Sequence, residues 1–324
     1  MRAPTLAQWV GEPETFLSEY WRRRPGVFRP EGGAYSSFSL ADADAALASG
    51  FLREPYLEMT RAEQPLTREA YTAVRRIYHA KFGGFADLAK VGALLDDGAT
   101  LLLRRIDHWH RATRDMLQEL ATELGLPVEA FYFVTPEGHQ GLPLHRDDAD
   151  VLVIQVAGSK SWHVHEGPAD GNWDLGKVRG DEPAEIFRTT LRAGEVLYIP
   201  RAFAHRATGD GGLSAHLSLT IREAGTEHLE SSLLDFAVQG VELPPRPLGD
   251  EALDKTAAEL LDHALARLAD LTPGGLLELA RRNLVAQMPQ AQPSLSLAAV
   301  AAAWEQRQEA EHDGTPAAAE PAAR

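Results

Sequence analysis

The fold of this protein is decided by the stretch LPLHRDDADVLVIQVAGSKSW, which spans residues 142–162. Two potential metal ligands, His145 and Asp147, come shortly before residues 151–156, an apolar run rich in valine and isoleucine that is typical of a buried strand. On an extended segment, side chains two residues apart point to the same side, so the imidazole and the carboxylate can reach one ion. The stretch therefore predicts a metal site close to the beginning of a strand.

Short strands are predicted on both sides of this stretch. Segments rich in β-branched and aromatic residues are separated by Gly, Pro and Asp clusters, and residues 157–159 (Ala-Gly-Ser) predict a tight hairpin turn between two of them. Seven strands within about 90 residues predict a compact β sandwich or barrel. The predicted strands are residues 131–135, 151–156, 161–165, 186–191, 195–199, 204–207 and 215–221.

A third potential ligand follows one of these strands. Residues 194–205 (GEVLYIPRAFAH) combine a glycine turn, a strand, a proline and a final histidine, His205, which would lie at the mouth of the barrel. Two histidines and one carboxylate on one face leave three coordination positions open, as in the facial triad of non-haem Fe(II) oxygenases, whereas structural zinc is enclosed by four ligands. The alternative is that His205 is a hydrogen-bonded histidine of the barrel and Asp147 a turn residue.

Helical periodicity flanks the barrel, which gives an α+β fold class. Residues 1–95 are predicted as a mainly helical part and residues 96–222 as the barrel with the metal site. The apolar stripes of residues 223–290 fit either a dimer interface or packing onto the barrel, and we predict a dimerisation region. Residues 291–324 predict a short helix and, from residue 308, a disordered acidic tail. Helices of the N-terminal half are predicted at residues 13–22, after a Ser39 N-cap, and at 67–81, 85–95 and 111–125.

The charge of the chain limits its partners. Lys and Arg number 32 and Asp and Glu 47, which gives a formal net charge of -15. Such a charge repels phosphates and attracts cations, so we predict no direct nucleic-acid binding and a basic protein or peptide substrate. A solvated surface that keeps the protein in solution is the simpler interpretation of the same acidity.

Composition excludes several further classes. The chain has no cysteine, which rules out disulfides, thiolate metal sites and a cysteine nucleophile. No apolar stretch approaches the roughly 20 residues that span a bilayer, and the first residues lack the apolar segment of a secretory signal. We therefore predict a cytoplasmic protein without a membrane-spanning segment.

Several separated motifs resemble the JmjC-type cupin hydroxylases, in particular the ribosomal oxygenases. They are the run at 142–162, the segment 16–25 (FLSEYWRRRP) and the shorter motifs at 97–100 and 135–136. The resemblance implies a double-stranded β-helix, a barrel of the cupin or jelly-roll type, with helices before it and dimerisation helices after it.

The resemblance also implies a metal and a cosubstrate. His145, Asp147 and His205 would bind Fe(II), and O2 and 2-oxoglutarate would react there. Lys160 would hold the distal carboxylate of 2-oxoglutarate, and a fixed cation suits a dianionic ligand that enters a pocket.

Five other residues are candidates for the pocket. Ser218 and His216 alternate on one face of the last predicted strand, so they would complete the 2-oxoglutarate site. Phe131 and Phe133 stand where ribosomal oxygenases tend to have Asn and Tyr, and Arg146 replaces an aromatic residue between two ligands. These three residues are the candidate substrate-pocket residues.

The sequence therefore predicts an Fe(II)- and 2-oxoglutarate-dependent dioxygenase that hydroxylates a side chain of a protein or peptide. One alternative is a catalytically idle, dimeric barrel that serves as a binding scaffold. Others are a hydroxylase of a small molecule or natural-product peptide, and a cupin that uses another metal without 2-oxoglutarate.

Overall fold

The computed structural model describes residues 6–62, 64–289 and 295–312. The chain divides into two compact units, of which the first ends at Pro289 and the second begins at Gln290. Among the described residues, no helix is long and apolar enough to cross a membrane.

The helices lie before, between and after the strands in the chain. The predicted Ser39 cap is confirmed, since its side chain accepts from the Asp42 N–H while the Asp42 carboxylate accepts from the Ser39 N–H. The helices are α1 (Ala7–Val10), α2 (Pro13–Thr15), α3 (Leu40–Ala48), α4 (Leu88–Asp96), α5 (Ile106–Trp109), α6 (Arg111–Leu124), α7 (Thr226–Val238), α8 (Gly249–Leu268), α9 (Pro273–Ala286) and α10 (Leu297–His312), with a π-helical turn at Phe16–Tyr20 and a 3-10 turn at Arg68–Ala70.

Ten strands form one antiparallel sheet, and two more form a separate hairpin. The central order is β1-β11-β8-β12-β6-β5-β2, with β10 beside β8 and with β7 between β12 and β9. The strands are β1 (Gly26–Phe28), β2 (Leu57–Thr60), β3 (Thr72–Ile77), β4 (Ala80–Ala86), β5 (Thr100–Leu103), β6 (Val128–Thr135), β7 (His145–Arg146), β8 (Asp150–His165), β9 (Gly176–Lys177), β10 (Glu185–Arg192), β11 (Val196–Ile199) and β12 (His205–Ile221).

The two longest strands, β8 and β12, pair from end to end, with His205 opposite Val164 and Ile221 opposite Asp150. Side chains alternate along β8: Leu152 and Ile154 enter the main hydrophobic core, while Val151 and Val153 belong to a second, smaller cluster. One face of this strand pair therefore packs into the main core, and the other face adjoins the site described below.

Gly158 bends β8 without ending it, so the predicted hairpin turn at residues 157–159 is wrong. Gly158 has a φ of +59°, and its partner strand shifts register between Asp210 and Ala215. A Cβ at Gly158 would lie 2.4 Å from the Leu213 carbonyl oxygen. A left-handed glycine pressed against the facing backbone is typical of a bulge within a strand.

The predicted helix at residues 67–81 is also wrong. Residues 72–77 and 80–86 form the β3–β4 hairpin, and β1 and β2 add two more strands to the part that we expected to be mainly helical. Apolar residues recur at helical spacing here, but valine, isoleucine, tyrosine and phenylalanine favour an extended backbone. The helix predicted at 85–95 is observed three residues later, as α4.

The helices after the sheet are tied to it by a buried carboxylate. Glu223 accepts from Arg281 on α9, at 2.6 Å, and from Arg22, also at 2.6 Å. An ion pair thus links α9 to the segment that follows β12, and no residue of α8 is fully buried. The predicted dimerisation region remains a prediction.

The C-terminal tail is predicted to be disordered from residue 308, but α10 continues to His312. The alanine-rich and glutamate-rich composition that suggests disorder is also favourable to a helix. The rest of the predicted tail, residues 313–324, lies outside the described residues.

Candidate metal centre

The three predicted ligands come together at one end of β12. His205 is the register partner of His145 on β7, and their ring centroids are 4.3 Å apart. Asp147 follows β7, with its carboxylate oxygens 3.7 Å from Nε2 of His145 and 3.6 Å from Nε2 of His205. One potential ligand atom from each residue lies within 4.8 Å of the other two, so a single ion can contact all three.

Backbone carbonyls orient both imidazoles. Nδ1 of His145 lies 2.9 Å from the Pro143 oxygen, and Nδ1 of His205 lies 3.0 Å from the Phe203 oxygen. When Nδ1–H donates to a carbonyl, the Nε2 lone pair is free for a metal. Burial and the neighbouring His145 lower the pKa of His205 to about 4, so His205 is neutral at pH 7.

The loop between β11 and β12 is fixed against Asp147. The Ala202 N–H donates to the Asp147 carbonyl oxygen over 3.0 Å, and Ala202 has a φ of +68°. Arg146 points away from its two neighbours: its guanidinium donates to the carbonyl oxygens of Ala202 and Glu166. Arg146 is predicted as a substrate-pocket residue, but among the described residues it does not line the cavity that adjoins His145, Asp147 and His205. Alternation along β7 directs its side chain to the opposite face of the strand.

A cavity of about 340 Å³ adjoins the three ligands. The predicted residues Phe131, Phe133, His216, Ser218 and Lys160 all line it. The ring of Phe133 stacks on His216, with centroids 4.8 Å apart and planes at 7°. The predicted face of the last strand therefore does form a wall of the cavity.

Lys160 is buried in this cavity, with only 4% of the residue exposed. Its Nζ donates to Thr135 Oγ1 over 2.9 Å and lies 5.9 Å and 5.8 Å from the ring centroids of Phe133 and Trp162. Burial lowers the pKa of Lys160 to about 7. A buried amine without an anion beside it, among the described residues, is suited to receive an anionic ligand.

A one-residue bulge just before Gly158 brings Lys160 to this cavity: His216 and Ala215 are adjacent on β12, but their partners Gln155 and Ala157 are two residues apart on β8. Val151 and Val153 line the cavity before the bulge, and Lys160 and Trp162 line it after the bulge. Strict alternation from Val153 would send residue 160 to the opposite face. The extra residue at Val156 therefore moves Lys160 to the side of His145, Asp147 and His205.

Two buried polar atoms of the cavity wall have no hydrogen-bond partner among the described residues: Nε1 of Trp162 and Nδ1 of His216. Burial and the charge of Lys160 lower the pKa of His216 well below its usual value, so this ring is neutral. Unpaired buried polar atoms cost stability unless a ligand or water meets them. The cavity is thus built for a polar, anionic ligand.

Sequence analysis assigned no role at the site to three residues: Thr100 and Trp162 line the cavity, and Thr135 accepts the hydrogen bond from Lys160. Thr100 Oγ1 donates to Thr135 Oγ1 over 3.1 Å, so both threonines support the amine of Lys160. Thr100 and Thr135 lie in motifs that support the family resemblance, but nothing in their local sequence indicates a cavity. Trp162 follows Lys160 by two residues, so alternation would have found it once Lys160 was assigned.

Charged residues that are already paired also line the cavity. Arg104 contacts Glu58, and Arg222 donates to Glu129 over 2.9 Å. Leu175 also lines the cavity and is 65% exposed. The lining can therefore contact both polar and apolar groups of a ligand.

Comparison with protein families finds a match for the part of the chain that carries the site. Residues 104–229 match the JmjC domain family, a range that includes all three ligands and Lys160. The match concerns the part of the chain that carries the site, and the antiparallel strands and helices have the JmjC cupin fold.

The similar curated proteins include ribosomal oxygenases. Ribosomal oxygenase 1 of Gallus gallus is 30% identical over 219 residues, which cover 64% of this chain and 34% of the relative. Ribosomal oxygenase 1 of Homo sapiens is 29% identical over 258 residues, which cover 74% of this chain and 38% of the relative. The chain spans little more than a third of either relative. The resemblance noted in the sequence is confirmed.

Solved structures agree on the fold. Escherichia coli YcfD matches with a TM-score of 0.56 at 19% identity, over 91% of this chain and 78% of that chain. A structure described as the ribosomal oxygenase YcfD in complex with cobalt and 2-oxoglutarate matches with a TM-score of 0.54 at 18% identity, with the same coverage of 91% and 78%.

Proposed function

We propose that this protein is an Fe(II)- and 2-oxoglutarate-dependent dioxygenase that hydroxylates a side chain of a protein or peptide. One observation carries the proposal: two histidines and a carboxylate share a cavity with a buried lysine that, among the described residues, has no anion beside it. A facial set of three ligands leaves coordination positions for a cosubstrate and O2.

His145, Asp147 and His205 would hold the metal. The donor set fits Fe(II), since both imidazoles have a free Nε2 and the carboxylate faces them. With iron bound, 2-oxoglutarate and O2 supply the oxidation, in which a C–H bond becomes C–OH while 2-oxoglutarate is converted to succinate and CO2.

The rest of the cavity would hold the cosubstrate. Lys160 binds the distal carboxylate, and Thr135 keeps the amine in place through the 2.9 Å hydrogen bond. Ser218, His216 and the Nε1–H of Trp162 offer further polar contacts to the same ligand. The ring of Phe133 and the apolar wall beside it exclude water from the reacting atoms.

The substrate is proposed to be a basic protein or peptide, in the manner of the ribosomal oxygenases. The net charge of -15 favours encounter with a cationic partner, and the similar curated proteins are named for action on ribosomes. Phe131 would contact the substrate at the cavity wall.

Three further features belong to this proposal. The sheet is proposed to be a double-stranded β-helix, residues 223–290 a dimerisation region and the cytoplasm the place of action. Dimerisation is supported by exposed apolar side chains on α7 and α8, among them Leu234, Leu261 and Leu265. Light scattering at micromolar concentration tests it, and a monomer mass would contradict it.

The function is tested by mass spectrometry of the proteins of a host that expresses the wild-type chain or the His205→Ala variant. A mass increase of about 16 Da on a defined peptide, found only with the wild type, supports the proposal. No such shift, together with no release of succinate from 2-oxoglutarate, would favour an idle scaffold. Succinate release with shifts only on small molecules would favour the alternative substrate class.

A further inference from the structure

We propose that the β3–β4 hairpin is a contact surface for single-stranded RNA. The base of the hairpin is anchored, because Thr72, Phe85 and Ala86 are buried, but each residue from 74 to 83 is exposed. Within the described part of the chain, the hairpin pairs with no other strand except through a single bridge from Arg53 to Phe85. A two-stranded hairpin with both faces in solvent contributes little stability, so the exposed side chains are available for a partner.

The hairpin is cationic in an acidic protein. Residues 70–86 include Arg75, Arg76 and Lys81 and no acidic residue. Arg75 is used internally, since its guanidinium donates to the Gly50 carbonyl oxygen and lies over the Phe85 ring. Arg76 and Lys81 are therefore the cations of the hairpin that can pair with an anionic ligand.

Arg76 and Lys81 are direct cross-strand partners. Like charges at opposite positions destabilise a strand pair. Among the described residues, neither cation has a carboxylate within ion-pair distance. Two adjacent cations that the fold does not neutralise are a site for anionic groups such as phosphates.

Aromatic rings accompany the two cations. Tyr78, at the tip, is 91% exposed, and Phe82 is 42% exposed. Tyr78 has a φ of +53°, in the left-handed region that a bulky residue rarely adopts, and its carbonyl oxygen accepts from Arg76 over 3.4 Å. Unpaired bases can stack on these exposed rings while the phosphates pair with the neighbouring cations. An acidic peptide would pair with the cations but would leave the rings without a contact.

The net charge of the chain does not prevent this contact. At physiological ionic strength a charge is screened over about 8 Å, so the neighbours of the hairpin decide its potential. The nearest acids along the chain are engaged: Glu69 pairs with Arg68 at 2.8 Å, and Asp87 caps α4 by accepting from the Lys90 N–H. The prediction of no direct nucleic-acid binding considered only the total charge.

The choice of RNA over DNA rests on the proposed function, because a ribosomal substrate lies within an RNA-containing particle. The other steps rest on the hairpin alone. Failure of the two ideas is distinguishable, since RNA binding is measured without iron or 2-oxoglutarate and succinate release is measured without RNA.

The test is fluorescence anisotropy of the full chain with a labelled single-stranded RNA of about 15 nucleotides, across a series of salt concentrations. Arg76→Glu with Lys81→Glu should weaken binding more than about tenfold and reduce the slope of log K against log salt by roughly 1.4, or about 0.7 for each phosphate that the protein no longer neutralises. Tyr78→Ala should weaken binding about five- to 150-fold, the range for removal of one base stack.

The matched control is Arg246→Glu with Lys255→Glu, which changes the net charge equally at two other exposed positions. It should leave the affinity within about twofold, since nonspecific repulsion alone is small at moderate salt. Thermal unfolding at the wild-type temperature shows that the hairpin variants are folded. The inference is overturned if the chain does not bind RNA, if the control weakens binding as much as the hairpin variant does, or if Tyr78→Ala binds as the wild type does. It is also overturned if polyaspartate, or DNA of the same sequence, binds more tightly than the RNA.

Discussion

The amine of Lys160 lies against the hydroxyl of Thr135, with Nζ donating to Oγ1 over 2.9 Å. Burial is the one cause that lowers the pKa of this amine, so no charged group offsets its desolvation among the described residues. A hydroxyl can orient an ammonium but cannot neutralise it. The pair therefore forms a preorganised site for the carboxylate of a ligand.

Lys160→Ala should weaken 2-oxoglutarate binding by about 10- to 150-fold, because a hydrogen bond to a charged group contributes about 1.5–3 kcal/mol. Metal binding should be retained. Isothermal titration of 2-oxoglutarate into the metal-loaded variant measures the change. Lys177→Ala, an exposed lysine on β9, is the control and should bind as the wild type does. Equal affinity in wild type and Lys160→Ala would mean that another cation holds the cosubstrate.

The affinity for 2-oxoglutarate should depend on pH. Because the pKa of Lys160 is about 7 before binding, the amine is protonated below pH 7 and the association constant is at its full value there. Above pH 7 the amine must gain a proton as the dianion binds, so the association constant falls by up to about tenfold per pH unit. Titrations in buffers of different ionisation enthalpy would detect the proton uptake. In Lys160→Ala this uptake should disappear.

Removal of one proposed metal ligand should abolish 2-oxoglutarate turnover and leave the fold intact. Asp147→Ala and His205→Ala should each lower metal affinity by on the order of 100-fold or more, while opening no large cavity. Cobalt binding, succinate release and thermal unfolding are the measurements. Asp148→Ala is the control, since this carboxylate pairs with Arg201. Full turnover in either ligand variant would contradict the assignment.

The ionised carboxylate of Glu223 should stabilise the fold at neutral pH, and this stabilisation should be lost at strongly acidic pH. Burial alone would raise its pKa, but hydrogen bonds from Arg281 and the Ala224 N–H, with the charge of Arg22, hold the pKa at about 2 against an ordinary 4.5. This depressed pKa contributes about 3 kcal/mol, which is present above pH 4.5 and diminishes as pH falls toward 2.

Urea unfolding of wild type and Glu223→Gln tests this contribution. The variant should be less stable at pH 7 by roughly 2–3 kcal/mol, and the difference should vanish near pH 2. The exposed Glu227→Gln on α7 should show no difference at either pH. A constant difference from pH 7 to pH 2 would exclude the ionised carboxylate as its cause.

The three candidate ligands could be predicted from sequence because each lies in a short segment with a clear local pattern. His145 and Asp147 share one face of a short extended segment, and His205 ends a segment with glycine and proline at its borders. Lys160 required the family resemblance, since strand alternation alone places it away from Val153. The local sequence cannot distinguish a glycine in a hairpin turn from a glycine in a bulge, as both adopt a positive φ.

The remaining differences have similar physical reasons. Thr135 meets Lys160 across separate strands, 25 residues apart in sequence, so the contact depends on sheet order. The β3–β4 hairpin resembles a helix in sequence because its apolar spacing fits both structures over so few residues. In each case a non-local pairing decides the outcome.

The end-to-end pairing of β8 and β12 has a consequence for how the protein loses its site. His205 begins β12, and Lys160 lies on the second half of β8, so neither strand can separate without dismantling the other. Amide protons of this strand pair should therefore exchange with deuterium only through global opening, whereas those of the outer β3–β4 hairpin should exchange within the native state. Thermal inactivation should then coincide with loss of the whole sheet and should not precede it.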